Sequence, residues 1–290
     1  MKSSTKILLA GATGYLGMHL TKQLQQHGYD FQALARSPEK LKAMGLHDEQ
    51  IRIAQVTEPA SLKGCCEGVE VVISCVGITR QRDGLSYMDV DYQANLNLLL
   101  EAERAGVKRF IYISAFNAPK FQTVRILKAK EQFANRLLIS TIASPCVIRP
   151  NGFFSDMTEF YKMAKRGRVY LFGTGQLKLN PIHGDDLANF CIEAIDSNQK
   201  ELDVGGPQIL THREIAKVAF RVLQQPEKIT CLPDWLRKGV LAVARLLPVQ
   251  VAGPVEFFAA ATAQDMVAPV YGQHTLEAFY TSYARSTDPN

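Results

Sequence analysis

Short apolar runs alternate with amphipathic stretches along the first half of the chain. The apolar runs predict strands at Ile7–Ala10, Phe31–Ala35, Ile51–Val56, Val69–Val76, Arg109–Ala115 and Thr141–Ile148. Apolar residues at helical spacing predict helices between them. One carries Leu16, Leu20 and Leu24 on one face and stops at Gly28, and the others lie at Pro59–Glu67, Met88–Ala105 and Arg125–Leu138. Strands separated by helices imply right-handed crossovers and a parallel sheet. We therefore expect an α/β fold built on a doubly wound parallel sheet of the Rossmann type.

The pattern changes after Arg149-Pro150. Short strands are predicted at Val169–Phe172 and Asn180–His183, a helix at Leu187–Ser197, and two helices between Pro233 and Val267. Insertions beyond the carboxyl ends of the strands commonly build a substrate-binding lobe. We expect residues 1–150 to form a dinucleotide-binding core. Residues 151–290 are expected to form a smaller C-terminal substrate lobe, interleaved with the last strands and helices of the core.

The composition of the chain argues against some classes of binding partner and indicates a cellular compartment. The chain has 290 residues and a net charge of +5 without a lysine or arginine run, which argues against a nucleic-acid partner. Its six cysteines form no CxxC pair, which favours reduced thiols in the cytoplasm. No apolar run is long enough to span a membrane, and the short one after the N-terminus is broken by glycine.

The first strand leads into the loop Gly11-Ala12-Thr13-Gly14-Tyr15-Leu16-Gly17, which opens a helix. Gly11 allows a tight turn, Gly14 lets a pyrophosphate approach the backbone, and Gly17 lets the helix pack closely on the strand. The amides and dipole of a helix N-terminus favour an anion. This strand–loop–helix context predicts a dinucleotide site with contacts from Gly11, Thr13, Gly14, Tyr15, Leu16 and Gly17.

The end of the second strand indicates which dinucleotide binds. NAD sites usually carry an acidic residue about 20 residues beyond the glycines, whereas NADP sites carry an arginine. Arg36 lies at that point and Lys40 follows one helical turn later, while Asp30 is at the other end of the strand. A guanidinium fork fits a 2′-phosphate. We expect NADPH, the alternative being that both cations are ordinary surface charges.

Several segments in order resemble the short-chain dehydrogenase/reductase (SDR) family, in its extended or atypical form. Besides the glycine loop, they are Asp91–Asn97, Lys108–Ser114, Ile148–Phe154, Asn180–Ala188 and Val204–Pro207. The resemblance implies a Rossmann fold in which Val76, Gly77 and Lys128 flank the nicotinamide half of the cofactor. It also implies an altered adenine contact, because Gln55 stands where relatives often carry aspartate.

The resemblance also implies a catalytic Tyr, a Lys four residues later and a Ser or Thr. Lys128 matches the lysine, but Val124 stands where the tyrosine belongs, and valine cannot carry a proton. Ser114 lies one residue early for the serine. We take Lys128 and Ser114 as catalytic candidates, with an exposed helix lysine as the alternative for Lys128. Lys130 has a weaker claim because it points to another helix face.

Other side chains could replace the missing acid. Tyr87, Tyr92 and Tyr161 lie near predicted loops or helix starts. Tyr112 alternates with buried strand positions and is expected to pack beneath the site. His183 is a minor candidate, with Asp185 or Asp186 expected to cap the following helix. No spacing suggests a metal site.

Two functions are compatible with these features. The first is an NADPH-dependent reductase that transfers hydride to a carbonyl or polarised double bond, similar to the isoflavone and lignan reductases that also lack the tyrosine. The second is a non-catalytic NADPH-binding sensor or assembly factor, similar to NmrA-like proteins and the complex I accessory subunit. We favour the reductase, acting as a monomer or homodimer on a small, largely apolar substrate.

One apolar stripe near the C-terminus has two interpretations. It comprises Trp235, Leu236, Val240, Val243, Leu246 and Leu247, beside Arg237, Lys238 and Arg245. A basic amphipathic helix of this kind can lie on a membrane surface. We favour instead a stripe packed on the core of the lobe, which every globular helix needs.

Overall fold

The computed structural model describes residues 5–78, 84–244 and 249–287. Its strands are β1 (Ile7–Ala10), β2 (Phe31–Ala35), β3 (Ile51–Ile53), β4 (Val71–Ser74), β5 (Arg109–Ile113), β6 (Ser144–Pro150), β7 (Val169–Phe172), β8 (Lys178–Leu179), β9 (Glu201–Val204), β10 (Leu210–Thr211) and β11 (Ile229–Leu232). Its α-helices are α1 (Tyr15–Gln26), α2 (Glu39–Ala43), α3 (Asn95–Arg104), α4 (Arg125–Leu138), α5 (Phe154–Lys165), α6 (Gly184–Glu193), α7 (His212–Val222), α8 (Asp234–Ala244), α9 (Val249–Ala261) and α10 (Leu276–Thr287).

Contacts divide the chain into two compact units. One comprises Met1–Arg149 with Leu187–Leu202, and the other comprises Pro150–Asp186 with Asp203–Asn290. Both units are discontinuous, because the chain leaves the first after β6 and returns to it for α6 before entering the second again.

A seven-stranded sheet runs in the order β3-β2-β1-β4-β5-β6-β9. The pairs from β3 through β6 are all parallel. Every residue of β1 and of β4 is buried, as helices on both faces of a parallel sheet require. The expected Rossmann-type sheet is therefore confirmed. Strand order reverses between β1 and β4, and a ligand crevice forms outside the carboxyl ends of the strands at such a point.

The amphipathic pattern of α1 has the expected physical basis. Leu16, Leu20 and Leu24 are buried on one face of the helix. Burying a leucine side chain contributes about 1.5–3 kcal/mol. The helix ends before Gly28, whose φ of +67° suits a left-handed turn that leads into β2. These contacts fix the N-terminus of α1 at the end of β1.

Several predicted elements differ from the structure. The helix expected over Pro59–Glu67 is only a 3₁₀-helix at Pro59–Leu62, because Gly64 and Gly68 adopt positive φ angles of +78° and +71°. The stretch Met88–Ala105 begins as a π-helix, Met88–Ala94, before α3. A π-helix is rare and is frequent at functional sites.

The segment expected as a strand at Asn180–His183 is paired regularly only at Lys178–Leu179, ahead of that range. Pro181 has no backbone N–H to donate, and the Asn180 side chain bonds the carbonyls of Gly206 and Ala268 at 3.1 and 2.9 Å. The following helix begins at Gly184 rather than Leu187, so Asp185 and Asp186 lie in its first turn and do not cap it.

The second unit packs α5, α7 and α10 together. Tyr161 and Tyr280 are buried with ring centroids 5.4 Å apart, and the Tyr280 hydroxyl donates to the Met157 carbonyl at 2.6 Å. Strands β7 and β11 pair in parallel, and β8 and β10 pair antiparallel.

The apolar stripe of α8 is not packed on a core. Trp235, Val240 and Val243 are 67%, 48% and 60% exposed, so the favoured interpretation was wrong for these residues. Leu246, Leu247 and Arg245 lie outside the described residues. Within the described part of the chain, no helix has the length and hydropathy to cross a membrane.

Candidate functional site

The glycine loop forms a cradle at the carboxyl end of β1. Gly11 has a φ of +79°, and a Cβ atom there would lie 2.8 Å from both the carbonyl carbon and oxygen of Cys75. The Gly14 amide donates to the Gly11 carbonyl at 3.1 Å. A Cβ atom on Gly17 would overlap that same carbonyl. The loop therefore tolerates no side chain at Gly11 or Gly17, and α1 lies close against the end of the strand.

The cradle fits a dinucleotide pyrophosphate. Gly14 precedes α1 in an extended conformation and no side chain caps the helix, so this helix N-terminus is suited to an anion such as a phosphate. Gly14 is exposed, and Thr13 and Tyr15 are half-buried. The Leu16 side chain is buried in the core, which leaves only its backbone for a phosphate contact.

Arg36 and Lys40, the two cations expected at the 2′-phosphate, lie four positions apart in the sequence, and both are exposed. Arg36 follows β2 directly, and Lys40 lies in the first turn of α2. Gln55, expected near the adenine, donates from its side chain to Glu58 Oε1 at 2.9 Å, while its backbone N–H donates to Ser61 Oγ at 2.9 Å.

A hydrogen-bond network shapes the loop Val76–Ile78, which follows β4. Ser74 Oγ donates to Asn95 Oδ1 at 2.6 Å, and Asn95 Nδ2 donates to the Val76 carbonyl at 3.2 Å. The Ile78 amide donates to Asp91 Oδ2 at 3.3 Å. Asp91 and Asn95 are fully buried, so the π-helix and the start of α3 fix this loop at the strand end.

Lys130 and Asp91 form a buried ion pair behind Gly77. Lys130 Nζ lies 3.0 Å from Asp91 Oδ1, with the side chains 14% and 0% exposed. A Cβ atom on Gly77 would lie 2.6 Å from Asp91 Oδ1 and 3.0 Å from Lys130 Nζ. The Lys130 ammonium also lies 3.4 Å from the Ile113 carbonyl and 5.5 Å from the centre of the Tyr112 ring. The pair therefore joins α4 to the ends of β4 and β5.

Burial and neighbouring charges shift the pKa values of Asp91 and Lys130 in opposite directions. Burial raises the pKa of Asp91, and Lys130 opposes that rise. Burial alone would lower the pKa of Lys130, but Tyr112 and Asp91 outweigh it and raise that pKa. Burial also raises the pKa of Tyr112. Lys130 is thus a persistent cation, and Tyr112 keeps its proton beneath it, packed on Phe133 as expected.

The two lysines of α4 have different surroundings. Lys128 is exposed, one turn after the buried Val124, the position that the resemblance assigned to the family's tyrosine. Lys130 points to another face, as expected, but that face is the one next to Asp91 and Gly77. Sequence reasoning missed this pair, for which the only signal was an acidic residue in the Asp91–Asn97 segment.

Ser114 follows β5 at the same end of the sheet. It is 5% exposed, and its Oγ atom makes no hydrogen bond to the described residues. An unsatisfied buried hydroxyl costs about 1–3 kcal/mol. Such a group is available to a ligand that reaches the strand end.

The other acids considered from the sequence are distributed over both units. In the first unit Tyr87 is buried and Tyr92 is half-buried. In the second, Tyr161 is buried against Tyr280 and Tyr283, and His183 stacks on His274 with centroids 4.2 Å apart.

His183, Asp185 and His274 bring three metal-ligand atoms within 4.8 Å of one another. The two imidazole rings stack with planes only 20° apart, and His183 Nδ1 accepts from the Asp185 amide at 3.2 Å. Asp186 Oδ1 lies 2.7 Å from His274 Nδ1, and Asp186 Oδ2 accepts from the His274 amide at 3.0 Å. As it stands, the arrangement fixes the loop before α10. The sequence concealed it because His274 is 88 residues from Asp186.

The sheet, the glycine loop and the N-terminus of α1 together define the class of protein. A parallel sheet with an order reversal, a glycine cradle and an uncapped helix end make a dinucleotide-binding protein of the Rossmann type. Residues 11–198 match the family model described as NAD(P)H-binding, and the chain belongs to that family. Its cofactor is therefore a nicotinamide dinucleotide.

Curated relatives match between 79% and 98% of the chain. The chloroplastic divinyl chlorophyllide a 8-vinyl-reductase of Zea mays is 29% identical, over 98% of this chain and 80% of the relative. A mitochondrial NADH dehydrogenase [ubiquinone] 1 alpha subcomplex subunit 9 of Arabidopsis thaliana is 27% identical, over 84% of this chain and 64% of the relative. The photosystem II assembly factor Ycf39 of Synechocystis is 23% identical, over 79% and 71%. The chain is thus an atypical, NmrA-like SDR, as the sequence motifs suggested.

Solved structures agree on the fold. An Escherichia coli NADPH-dependent quinone oxidoreductase in complex with NADPH matches with a TM-score of 0.74 at 17% identity, over 96% of this chain and 99% of the other. A nucleoside-diphosphate-sugar epimerase from Staphylococcus aureus matches with a TM-score of 0.72, also at 17% identity, over 96% and 100%.

Proposed function

We propose that this chain is an NADPH-dependent reductase that transfers hydride to a carbonyl or polarised double bond of a small, largely apolar substrate. The observation that carries the proposal is Ser114 at the carboxyl end of β5, whose buried hydroxyl has no hydrogen-bond partner among the described residues. The maize relative, named as a vinyl reductase, supports the same class of reaction.

Each remaining candidate has a defined task in this proposal. NADPH supplies the hydride. The amides at the start of α1 bind the pyrophosphate, and Arg36 and Lys40 bind the 2′-phosphate. The exposed Lys128 binds the nicotinamide ribose, and Ser114 donates a hydrogen bond to the substrate oxygen. Val76 and Gly77, held in place by Asn95 and Asp91, support the nicotinamide.

A second candidate function rests on the surface of α8. Trp235, Val240 and Val243 are exposed beside an apolar groove of about 390 Å³. Two of the relatives named above are a complex I subunit and an assembly factor. A cofactor-binding assembly factor would use such an apolar surface on a partner protein.

Isotope transfer separates the two functions. The purified chain is mixed with a metabolite extract and NADPH deuterated at the transferable C4 position, and mass spectrometry follows the label. We expect deuterium in a small molecule, and less of it with Lys128→Met at subsaturating NADPH. Tight NADPH binding with no transferred label would instead favour the assembly factor, whose partner would be sought with Trp235→Ser as the control.

A further inference from the structure

Helices α8 and α9 have an inverted distribution of polar and apolar side chains. The Arg237 side chain is only 11% exposed, and it donates to Asp234 at 2.7 Å and to the Ala259 carbonyl at 3.0 Å, which joins the two helices. Glu256 of α9 is buried as well. In an ordinary surface helix the charged residues face solvent and the apolar residues face the core. In this pair, two of the charged side chains face inward.

The side of α8 that is turned to solvent is apolar. Trp235, Gly239 and Val243 recur at every fourth position, so they share one face of the helix, and all three are exposed. Val240, which follows Gly239, is exposed as well. A Cβ atom on Gly239 would meet no other atom within 4 Å, so the described part of the chain leaves the middle of this face uncovered.

Helix α9 extends this apolar surface. Its Val255 lines an open groove of about 390 Å³ together with the α8 residues Val240 and Val243. Phe258 lies one turn after Val255, on the same side of α9, and is 42% exposed. The outer face of the α8–α9 pair is defined here by four exposed side chains: Trp235, Val240, Val243 and Phe258.

The outer face is small for a protein interface. Its four side chains expose roughly 400 Å² of apolar surface, whereas a standard interface buries about 800 Å² on each partner. A protein partner would also need a ridge that matches the groove, because interface cores are packed as closely as protein interiors. Lipid chains have no fixed shape and fill such a groove. Helices that lie flat in the membrane interface bury apolar side chains in this way.

The exposed charge beside the outer face is positive. The Lys238 side chain is 74% exposed and lies one helical turn after Trp235. Asp234 lies 4.0 Å from its ammonium, but that carboxylate already accepts two hydrogen bonds from Arg237, at 2.7 and 3.2 Å. Lys238 can therefore pair with an anionic headgroup while its methylene groups lie along the apolar surface. Tryptophan and lysine side by side are typical of residues that anchor a protein at the membrane interface.

We propose that the outer face of the α8–α9 pair lies on an anionic membrane surface. The four apolar side chains enter the boundary between lipid headgroups and acyl chains, and Lys238 pairs with the lipid phosphates. The contact is peripheral, because one face of two helices makes it. The inference goes beyond the proposed reductase function and does not depend on it, since vesicle binding and hydride transfer are separate measurements.

Trp235 is the only tryptophan of the chain, so its fluorescence reports on the outer face directly. The full chain is titrated with vesicles of phosphatidylcholine mixed equally with phosphatidylglycerol, and with vesicles of phosphatidylcholine alone. We expect tighter binding to the anionic vesicles, a blue shift of the Trp235 emission, and quenching of that emission by lipids brominated on their acyl chains. Cosedimentation with the vesicles measures the affinity independently of the fluorescence.

Substitutions on the outer face should change the affinity for vesicles in both directions. Val240→Ser/Val243→Ser removes apolar area and should weaken binding at least about tenfold, whereas Gly239→Leu adds apolar area in open space and should strengthen it roughly tenfold. Lys238→Gln should weaken binding about fivefold, and only to the anionic vesicles. Ile139→Ser is the matched control, because Ile139 is 81% exposed but lies outside the pair, and it should leave binding unchanged. Thermal unfolding of each variant verifies that it is folded at the temperature of the titration.

Four results would overturn the membrane contact. The first is no binding of wild type to either kind of vesicle. The second is vesicle binding that leaves the Trp235 emission unshifted and unquenched, because another surface then makes the contact. The third is a blue shift that appears without lipid as the protein concentration rises, which would assign the outer face to a second copy of the chain. The fourth is capture of a partner protein by wild type but not by Val240→Ser/Val243→Ser, with no vesicle binding by either, which would assign the face to the partner protein of an assembly factor.

Discussion

A Cβ atom on Gly11 would lie 2.8 Å from the carbonyl oxygen of Cys75, so the loop after β1 and the residue after β4 touch backbone to backbone. Gly11 also has a φ of +79°, which costs other residues about 1–2 kcal/mol. We expect Gly11→Ala to lower the free energy of unfolding by more than this strain alone and to abolish NADPH binding. Chemical denaturation and NADPH fluorescence measure the two effects.

Gly28 provides the matched control for this substitution. Its φ is +67°, but an added Cβ would meet no atom within 4 Å. Gly28→Ala should therefore incur the conformational strain alone, about 1 kcal/mol, and leave NADPH binding intact. Equal losses of stability and of NADPH affinity in the two variants would show that the backbone contact with Cys75 has no special importance.

Arg36 and Lys40 provide a test of the cofactor. We expect Arg36→Ala to reduce the preference for NADPH over NADH roughly tenfold to a hundredfold, because a guanidinium bond to phosphate is charge-assisted. Lys40→Ala should have a smaller effect in the same direction. Lys42 lies in the same short helix but pairs with Asp48 at 2.7 Å, so Lys42→Ala should leave the preference unchanged. Equal NADPH and NADH affinities in the wild type would refute the NADPH assignment.

The sequence pattern correctly predicted the helices and strands that are determined by the apolar and polar positions of their own segment. The bounds of α4, Arg125–Leu138, agree with the prediction because one helical face is consistently apolar and buried. Val69–Val76 was correctly predicted as a buried strand, although β4 is shorter at both ends. The 3₁₀-helix Pro59–Leu62 was not predicted, because glycines at positive φ ended a pattern that looked helical.

The candidate site was predictable only where its parts are close in sequence. The glycine loop and Arg36 lie within one βαβ unit, and the cofactor class followed from them. The partner of Lys130 lies 39 positions earlier, at Asp91, and the partner of Asp186 lies far downstream at His274. Such pairs depend on which strand ends the topology brings together, and a helical pattern around Lys128 and Lys130 does not specify which lysine faces the sheet.

Arg149 offers a test of stability away from the cofactor. Its guanidinium is 7% exposed and lies 3.0 Å from the equally buried Glu131 and 2.6 Å from the exposed Glu201. Arg149→Met leaves the Glu131 carboxylate buried without its cation, which costs about 3–5 kcal/mol. We expect a corresponding loss in the free energy of unfolding by chemical denaturation.

Two further substitutions establish the cause of that loss. Arg149→Met/Glu131→Gln should recover part of it, since no buried charge remains uncompensated. Glu201→Gln should cost no more than about 1 kcal/mol, because an exposed partner contributes little. If the double variant were as unstable as Arg149→Met, lost packing of the arginine side chain rather than the stranded charge would explain the effect.

His212 makes the stability of the second unit depend on pH. It is 4% exposed at the start of α7, beside Phe160, and burial lowers its pKa despite an opposing effect of Asp265. An unfolded histidine takes up a proton near its ordinary pKa of 6.5, whereas the native one does so only at lower pH. Because the unfolded state binds more protons, stability is lost as the pH falls through that window. Denaturation of wild type and His212→Gln between about pH 5 and about pH 8 measures this difference. We expect the wild type to lose more stability on acidification than the variant does, and parallel profiles would show that His212 is not the titrating group.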